Sequence, residues 1–497
     1  MADADMAVTA SSLPETPMSS CPFQKVPLEV LLRISSQLDT PSLGSLRLTC
    51  RSIEQFLYIS FTKEFFTRKQ FMTSDISLQA LVDISKSRLS DNLRKVHFGL
   101  DHFPNAFSNQ RDLEMDMKAI DYHAGMFTLW STGYHRDMIA EAFANLKNLE
   151  DVVIRDFNSS KRTRDGEHAQ WNSYGAPTAS SETAIRITQG DDSVPSFCSQ
   201  VFAVVLAALG QAKARPQGIE VMSRRRNPLK NYAFNIPPYL EPSVAPVLEN
   251  LAKLHIDVGL GLDISFMRGG PGARQTPPGH WEGTSVMLRK FLLKTHNVKH
   301  LRINETRSHE SGAGALLEWL ALPSTATPTS TSPLIPAIPS PALAHLEELN
   351  LGQMNVEASG VLNLIRKVAP TIKRLEIWKL TLVRELQGDQ ASTKVSFWNK
   401  FFHQLREIPD LELRHIKLGC LDQLWRGKTA KSSVLFDRSN PTSSVVSYTG
   451  PDWKHFMGEV ITNMLTNFAN SLHVRELSGL DDDSESDGIW DLYALDL

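Results

Sequence analysis

Cysteine is scarce in this chain of 497 residues. There are four, Cys21, Cys50, Cys198 and Cys420, far apart, with no CxxC pair and no clustered histidine. That excludes a disulfide framework and a zinc site of ordinary spacing, and it suits a reducing compartment. Long apolar runs are missing as well. The longest, VFAVVLAALG from Val201 to Gly210, is about half a membrane span and reads as a buried helix. The opening residues, MADADMAVTASSLPETPMSS, carry acids where a signal peptide needs bases, and they have no apolar core. The chain is therefore expected to be soluble and intracellular, in the cytoplasm, the nucleus or both, with no membrane partner.

Catalytic signatures are absent too. There is no GxSxG elbow, no P-loop and no HExxH. Gly269, Gly270 and Gly272 are not followed by the Lys and Ser/Thr of a phosphate loop, so they read as a loop tip. His309, Glu310 and Ser311 are neighbours in sequence, which does not set a base against a hydroxyl. No catalytic residue, metal ligand or cofactor is expected. The formal charge of −3 makes no electrostatic case for a nucleic-acid partner, and none is expected.

What is present is an ordinary folding composition, 41% hydrophobic and 22% charged, in a chain too long for one compact core. That length calls for two or three domains or one extended repeat array. Near the N-terminus, VPLEVLLRISSQLDTPSLGSLRLTCRSIEQFL spans Val26 to Leu57. Pro27 and Glu29 suit a helix start, and Val30, Leu31, Ile34 and Leu38 recur at helical spacing. Asp39 or Thr40 can cap a second helix, with Pro41 in its first turn and Leu43, Leu46 and Leu48 on its apolar side. Thr49 can cap a third, with Ile53, Phe56 and Leu57 on one face. Three short helices in about thirty residues cannot enclose that many apolar side chains, so part of their surface should meet a partner or the next part of the chain.

This segment resembles the F-box. Pro27 and Glu29, then Leu31, Ile34 and Leu38, then Asp39 and Pro41, then Leu43, Leu46, Arg47, Leu48, Cys50 and Arg51 follow the order of that family. Val26 stands for the usual first leucine, and Ile53 where many members have tryptophan. The continuation FTKEFFTRKQFMTSDISLQALVDISKSRLSDNLRKVHF is similar to F-box proteins of filamentous fungi. The resemblance implies that these helices insert into a Skp-family adaptor of a cullin-RING ubiquitin ligase. Val26, Pro27, Leu31, Ile34, Leu38, Pro41, Leu43, Leu46 and Leu48 would be the adaptor-binding residues.

Downstream a six-residue pattern recurs: apolar, two variable, apolar, one variable, apolar. It appears as LRKVHF at 93–98, LEDVVI at 149–154, LAKLHI at 251–256, VKHLRI at 298–303, LEELNL at 346–351, IKRLEI at 372–377 and LRHIKL at 413–418. The last three positions alternate as a strand with one buried face should. Amphipathic helical segments precede several of them, including DMIAEAFANL, GVLNLIRKV and FWNKFFHQLREI. Successive first positions lie 56, 102, 47, 48, 26 and 41 residues apart, so the repeat is irregular. The 102-residue gap has room for another unit, since helix Phe197–Leu209 leads into GIEVMS at 218–223. The fold class predicted is α/β: an N-terminal three-helix F-box, then an irregular leucine-rich-repeat-like solenoid with long inserted loops. A doubly wound α/β domain would give the same alternation.

The organisation expected is a disordered stretch at 1–22, the F-box at 23–70, the repeat region at 71–476 and an acidic tail at 477–497. Insertions fall at 159–196, 268–284 and 323–342, the last rich in Pro, Ser and Thr. Two basic clusters, Lys161, Arg162 and Arg164, and Arg224, Arg225, Arg226 and Lys230, read as solvated loops or as sites for an acidic partner. In the tail, Ser484 and Ser486 lie among acids, and Trp490, Tyr493 and Leu495 offer docking groups. Within each strand the residues between the core-facing positions should line the helix-free face. They are His97, Val153, His255, Arg302, Asn350, Glu376 and Lys417, a mostly polar, mixed-charge set suited to a protein target; the alternative is that the inserted loops carry that specificity. The reading is a non-catalytic receptor subunit of a ubiquitin ligase, holding an unknown protein substrate. The alternatives are an adaptor-bound scaffold without a cullin, or an α/β enzyme.

Overall fold

The computed structural model describes residues 22–467, apart from 104–112, 160–162, 167–168, 186, 190–196, 225–226, 261–284, 306–311, 327–336, 386–394, 427, 429, 438–439 and 441–442. The glycines at 269–272, the triplet 309–311, Lys161, Arg162, Arg225, Arg226 and the acidic tail lie outside the described residues. The chain divides into two compact units. One is Met1–Phe65 with Lys161–Ala169; the other is Phe66–Ser160 with Gln170–Leu497.

The larger unit is built on one strand used ten times. The strands are β1 Arg68–Met72, β2 Lys95–Gly99, β3 Asp151–Arg155, β4 Gly218–Met222, β5 Lys253–Gly259, β6 His300–Glu305, β7 Glu348–Gly352, β8 Arg374–Trp378, β9 His415–Gly419 and β10 Val445–Thr449. Each pairs with the next in chain order, so the sheet grows by one strand per repeat. Pairing is parallel from β1 to β9 and antiparallel only at β10. All seven recurring segments end in a ladder strand, and GIEVMS supplies β4, the unit inside the 102-residue gap. The irregular spacing does not disturb the ladder. Neighbouring strands sit about 4.8 Å apart whatever length of chain returns between them.

The alternation within each strand separates two chemistries. Val96, Val152, Ile219, Leu254, Leu301, Leu349, Leu375 and Ile416 form one in-register apolar row. All are at most 2% exposed. They join a single core with the return helices, among them Tyr134–Asn145, Ala358–Val368 and Phe397–Arg406. The helical faces read from sequence (Met138, Ile139, Ala142, Phe143; Val361, Leu364, Ile365, Val368; Trp398, Phe401, Phe402, Leu405) are all buried there. Each such side chain contributes about 1.5–3 kcal/mol on leaving water.

The turn after the strand is shared by the last three parallel strands. Gln353, Lys379 and Cys420 each follow β7, β8 or β9 directly, and each adopts a left-handed backbone with φ of 50–58°. Met354, Leu380 and Leu421 come next and are buried. Strands Asn355–Val356, Thr381–Arg384 and Asp422–Trp425 then pair in parallel as a second sheet, extended antiparallel by Ser432–Leu435 and Leu465–Asn467. Non-glycine residues at positive φ carry a strain of about 1–3 kcal/mol. Three at equivalent positions mark the bend that leads into the second sheet.

The insertion expected as loop at 159–196 contains helix Ala176–Thr183 and strand Thr188–Gln189, the latter paired with Asp101–His102. Its Tyr174 bridges to Phe71 and donates its amide to Gln70 O, which covers part of the outer edge of β1. At the base of the 323–342 insertion, Lys367 Nζ lies 2.7 Å from each of four acceptors: Leu320 O, Leu322 O, Ser340 Oγ and Pro341 O. No carboxylate is among them, and burial pushes the Lys367 amine down to about 8.

Gly419 at the end of β9 gives the sharpest test of the ladder. A Cβ there would stand 2.1 Å from Cζ3 of Trp378, whose ring lies flat against the glycine. Gly419→Ala must therefore displace a rigid indole. We expect a loss of about 1–3 kcal/mol, read as a lower urea midpoint at unchanged slope.

Candidate functional site

The smaller unit contains helices α1 Leu28–Ser36, α2 Thr40–Leu48 and α3 Arg51–Phe65. Asp39 caps α2, its carboxylate accepting the Ser42 amide at 2.9 Å. Thr49 does not cap α3; its hydroxyl donates to Leu46 O and closes the end of α2. Arg47 pairs with Glu54 at 3.0 Å and lies over the ring of Phe61.

The expected adaptor residues fall into two groups. Leu31 and Leu43 are 1% and 3% exposed and, with Ile53 and Leu57, are buried core residues of these helices. They are thus withdrawn from any surface that a partner could meet. Pro27, Ile34, Pro41 and Leu48 are exposed, Leu48 at 87%, while Val26, Leu38 and Leu46 are half-buried. Leu28, Val30, Phe56 and Ile59 are also exposed, although they are not among the residues that the resemblance implies for adaptor binding. Helical spacing identifies an apolar residue but not which of two destinations, core or partner, it serves.

In the larger unit the residues between the apolar positions form one row across the sheet. Gln70, His97, Val153, Glu220, His255, Arg302, Asn350, Glu376, Lys417 and Ser447 are partners in register from β1 to β10. The structure thus brings together every residue expected on the helix-free face. It also crowds them: His97, Asn350, Glu376 and Lys417 are buried, and His255 and Arg302 half-buried.

The crowding is made tolerable by pairing. Lys253 Nζ reaches Glu220 at 2.7 Å and Asp151 at 2.9 Å, and Lys95 reaches the other oxygen of Asp151 at 3.0 Å. His255 meets Glu220 at 3.4 Å. Glu348 receives Arg374 and Asn350, each at 3.0 Å, and His415 meets Glu376 at 3.4 Å. Burial alone would raise the Glu220 carboxyl, but His255 and Lys253 hold it well below the usual carboxylate range. Some atoms have no partner among the described residues: both ring nitrogens of His97, Oδ1 of Asn350 and Oε2 of Glu376. Burial, reinforced by Arg155, drives His97 far below its ordinary value, so its ring is neutral at pH 7.

At the C-terminal ends of the strands lies a polar network that no periodicity in the sequence could signal. Arg155 donates to Gln70 and Ser159, Gln70 donates to Ser173, and Asp101 accepts from Ser173 and Gln189. Farther along, buried Asp156 accepts from Ser223 and Arg224, while Asp257 accepts the Ser223 amide and Asn304. Among the described residues no group of three or more His, Cys, Asp or Glu is placed to hold a metal. No described helix is long and apolar enough to cross a membrane.

Residues 23–58 match the family model of the F-box domain. Among solved structures the chain is similar to the leucine-rich repeat-containing protein LegL7 from Legionella pneumophila, at 10% identity and a TM-score of 0.25, covering 72% of this chain and 91% of that one. The repeat architecture rests on the ladder itself and takes nothing from that likeness. No curated protein sequence matches.

Burial pushes the Asp257 carboxyl up to about 6, against about 3.9 in an unfolded chain. The folded state therefore holds the proton more tightly, and this group's contribution to stability falls as pH rises from about 4 to 6. Asp257→Asn keeps the neutral shape at every pH. We expect its melting temperature to vary less than that of the native chain between pH 4 and 7, as followed by circular dichroism.

Proposed function

We propose that this chain, which carries an F-box domain, is the substrate-receptor subunit of a Skp–cullin–F-box ubiquitin ligase. The observation that carries the reading is the family match at residues 23–58, on three helices that leave Leu28, Val30, Ile34, Leu48, Phe56 and Ile59 uncovered. Exposed apolar side chains on so small a unit are costly unless a partner buries them, and a Skp-family adaptor is the partner an F-box implies. The repeat unit then holds the protein target. Its polar row is half-exposed at Glu220, His255 and Arg302, a mixed-charge stretch that favours hydrogen-bonded and ionic recognition over burial of an apolar peptide. Catalysis is positional. The receptor raises the effective concentration of a target lysine near a ubiquitin thioester, and no group of this chain enters the bond-making.

Two experiments test the two ends. Ile34→Glu with Leu48→Glu should cut adaptor capture by more than tenfold with no change in melting, because both positions are exposed. Undiminished capture would remove the adaptor reading. Leu31→Ala with Leu43→Ala should instead unfold the helices, since each truncation of a buried leucine costs about 2–5 kcal/mol. Cullin co-precipitation with the native chain separates a ligase subunit from a scaffold.

For the target end, proximity labelling compares Arg302→Glu with Lys417→Glu against removal of 327–336. That shortening spares Ser340 and Pro341, which Lys367 holds, and Ile338, whose carbonyl accepts from Trp319. We expect labelling of targets to be lost with the charge reversals at an unchanged circular-dichroism melt, a control that buried Lys417 requires, and kept in the shortened chain. The opposite pattern would move target binding to the insertion.

A further inference from the structure

The helical unit is not made from the N-terminal segment alone. Residues 161–169, a separate stretch well downstream, belong to it, and two consecutive side chains there reach the ends of all three helices. Arg164 donates through Nη1 to Ser35 O and Leu38 O, at and just past the C-terminus of α1. Its Nε and Nη2 bind both oxygens of Glu64, in the last turn of α3, at 2.7 Å each. Asp165 accepts the Thr40 amide at 2.7 Å and the Thr40 hydroxyl at 2.8 Å, at the N-terminus of α2. These are the places where a helix leaves backbone groups unsatisfied, and the signs are right. A cation sits at a carbonyl end and an anion at an amide end. The guanidinium is largely buried, at 12% side-chain exposure, so it is a built contact rather than a solvated arm.

We propose that Arg164 and Asp165 are positioning residues for adaptor capture: a strap that holds the α1–α2 turn and the end of α3 in the arrangement that binds. This rests on the adaptor reading above. A helix pair whose connecting turn is already fixed loses less freedom on binding, and preorganisation of that kind raises affinity without adding a contact to the partner. Neither residue lies in the F-box match at 23–58, so a segment cut to that match would lack the strap.

The test uses the full chain as Arg164→Ala, Asp165→Ala and Arg164→Lys, with binding to a purified Skp-family adaptor followed by calorimetry at 10 °C, where native chain and variants must give the same far-ultraviolet circular dichroism. Adaptor Kd should rise at least tenfold in both alanine variants and by less in Arg164→Lys, which keeps the charge but not the two-pronged bond to Glu64. Hydrogen exchange at the Thr40 and Leu38 amides should accelerate in the alanine variants. Affinity within twofold of the native chain, at equal helicity, would overturn the proposal. If the native chain itself fails to bind the adaptor, the adaptor reading falls. Exchange then decides the strap alone: unchanged protection at Thr40 would overturn it, and lost protection would keep it as a clamp on these helices.

Discussion

The larger unit depends on parallel backbone pairing in unbroken register from β1 to β9. Because side chains alternate along a strand, register fixes the face of every residue in ten strands at once. A slip of one position in β7 would send Leu349 and Leu351 to the polar face and Asn350 into the core. The apolar rows make that slip costly, and the hydrogen-bonded ladder carries the constraint from repeat to repeat. The lengths between repeats are free to vary, which is how long insertions fit into a regular sheet.

The same register sets the polar chemistry. Packing side chains of both signs into one crowded row removes them from water, which is unfavourable unless each finds a partner. Asp151, Glu220 and Glu348 each serve two neighbours on nearby strands, Lys253 reaching Asp151 across β4 at Gly218, so single carboxylates tie successive repeats together. A charge reversal in the row therefore acts on neighbouring strands as well as on a partner. The helical unit solves a similar problem with fewer residues, since Arg164 and Asp165 satisfy backbone groups at the ends of helices too short to hold themselves.

The sequence showed most of the ladder and little of what decorates it. Seven of ten ladder strands, an eighth inside the long gap, and the helix faces before them followed from periodicity, because burial on one side leaves a period in the chain. β1 and β10 carry no such signal: RKQFM is half polar, and β10 alternates exposed and half-buried residues on an edge. The second sheet is made of strands of two to four residues, too short to show alternation. On the helix-free face the row of His97, His255, Arg302, Asn350, Glu376 and Lys417 was legible as positions. Its internal pairing was not, since that depends on which strands become neighbours. Arg164 and Asp165 were the hardest to read. A polar contact across more than a hundred residues has no period, and in sequence the arginine looked like part of a solvated cluster.

The two ends of the ladder differ from its middle. β10 runs antiparallel to β9, and β1 is partly covered by Tyr174. Repeat arrays with bare ends tend to join end to end, since each exposed edge is a template for another copy. Here a further parallel repeat meets a strand of the wrong direction at one end and an occupied carbonyl, Gln70 O, at the other. Continuation of the parallel ladder by another copy in the same register is thus disfavoured at both ends.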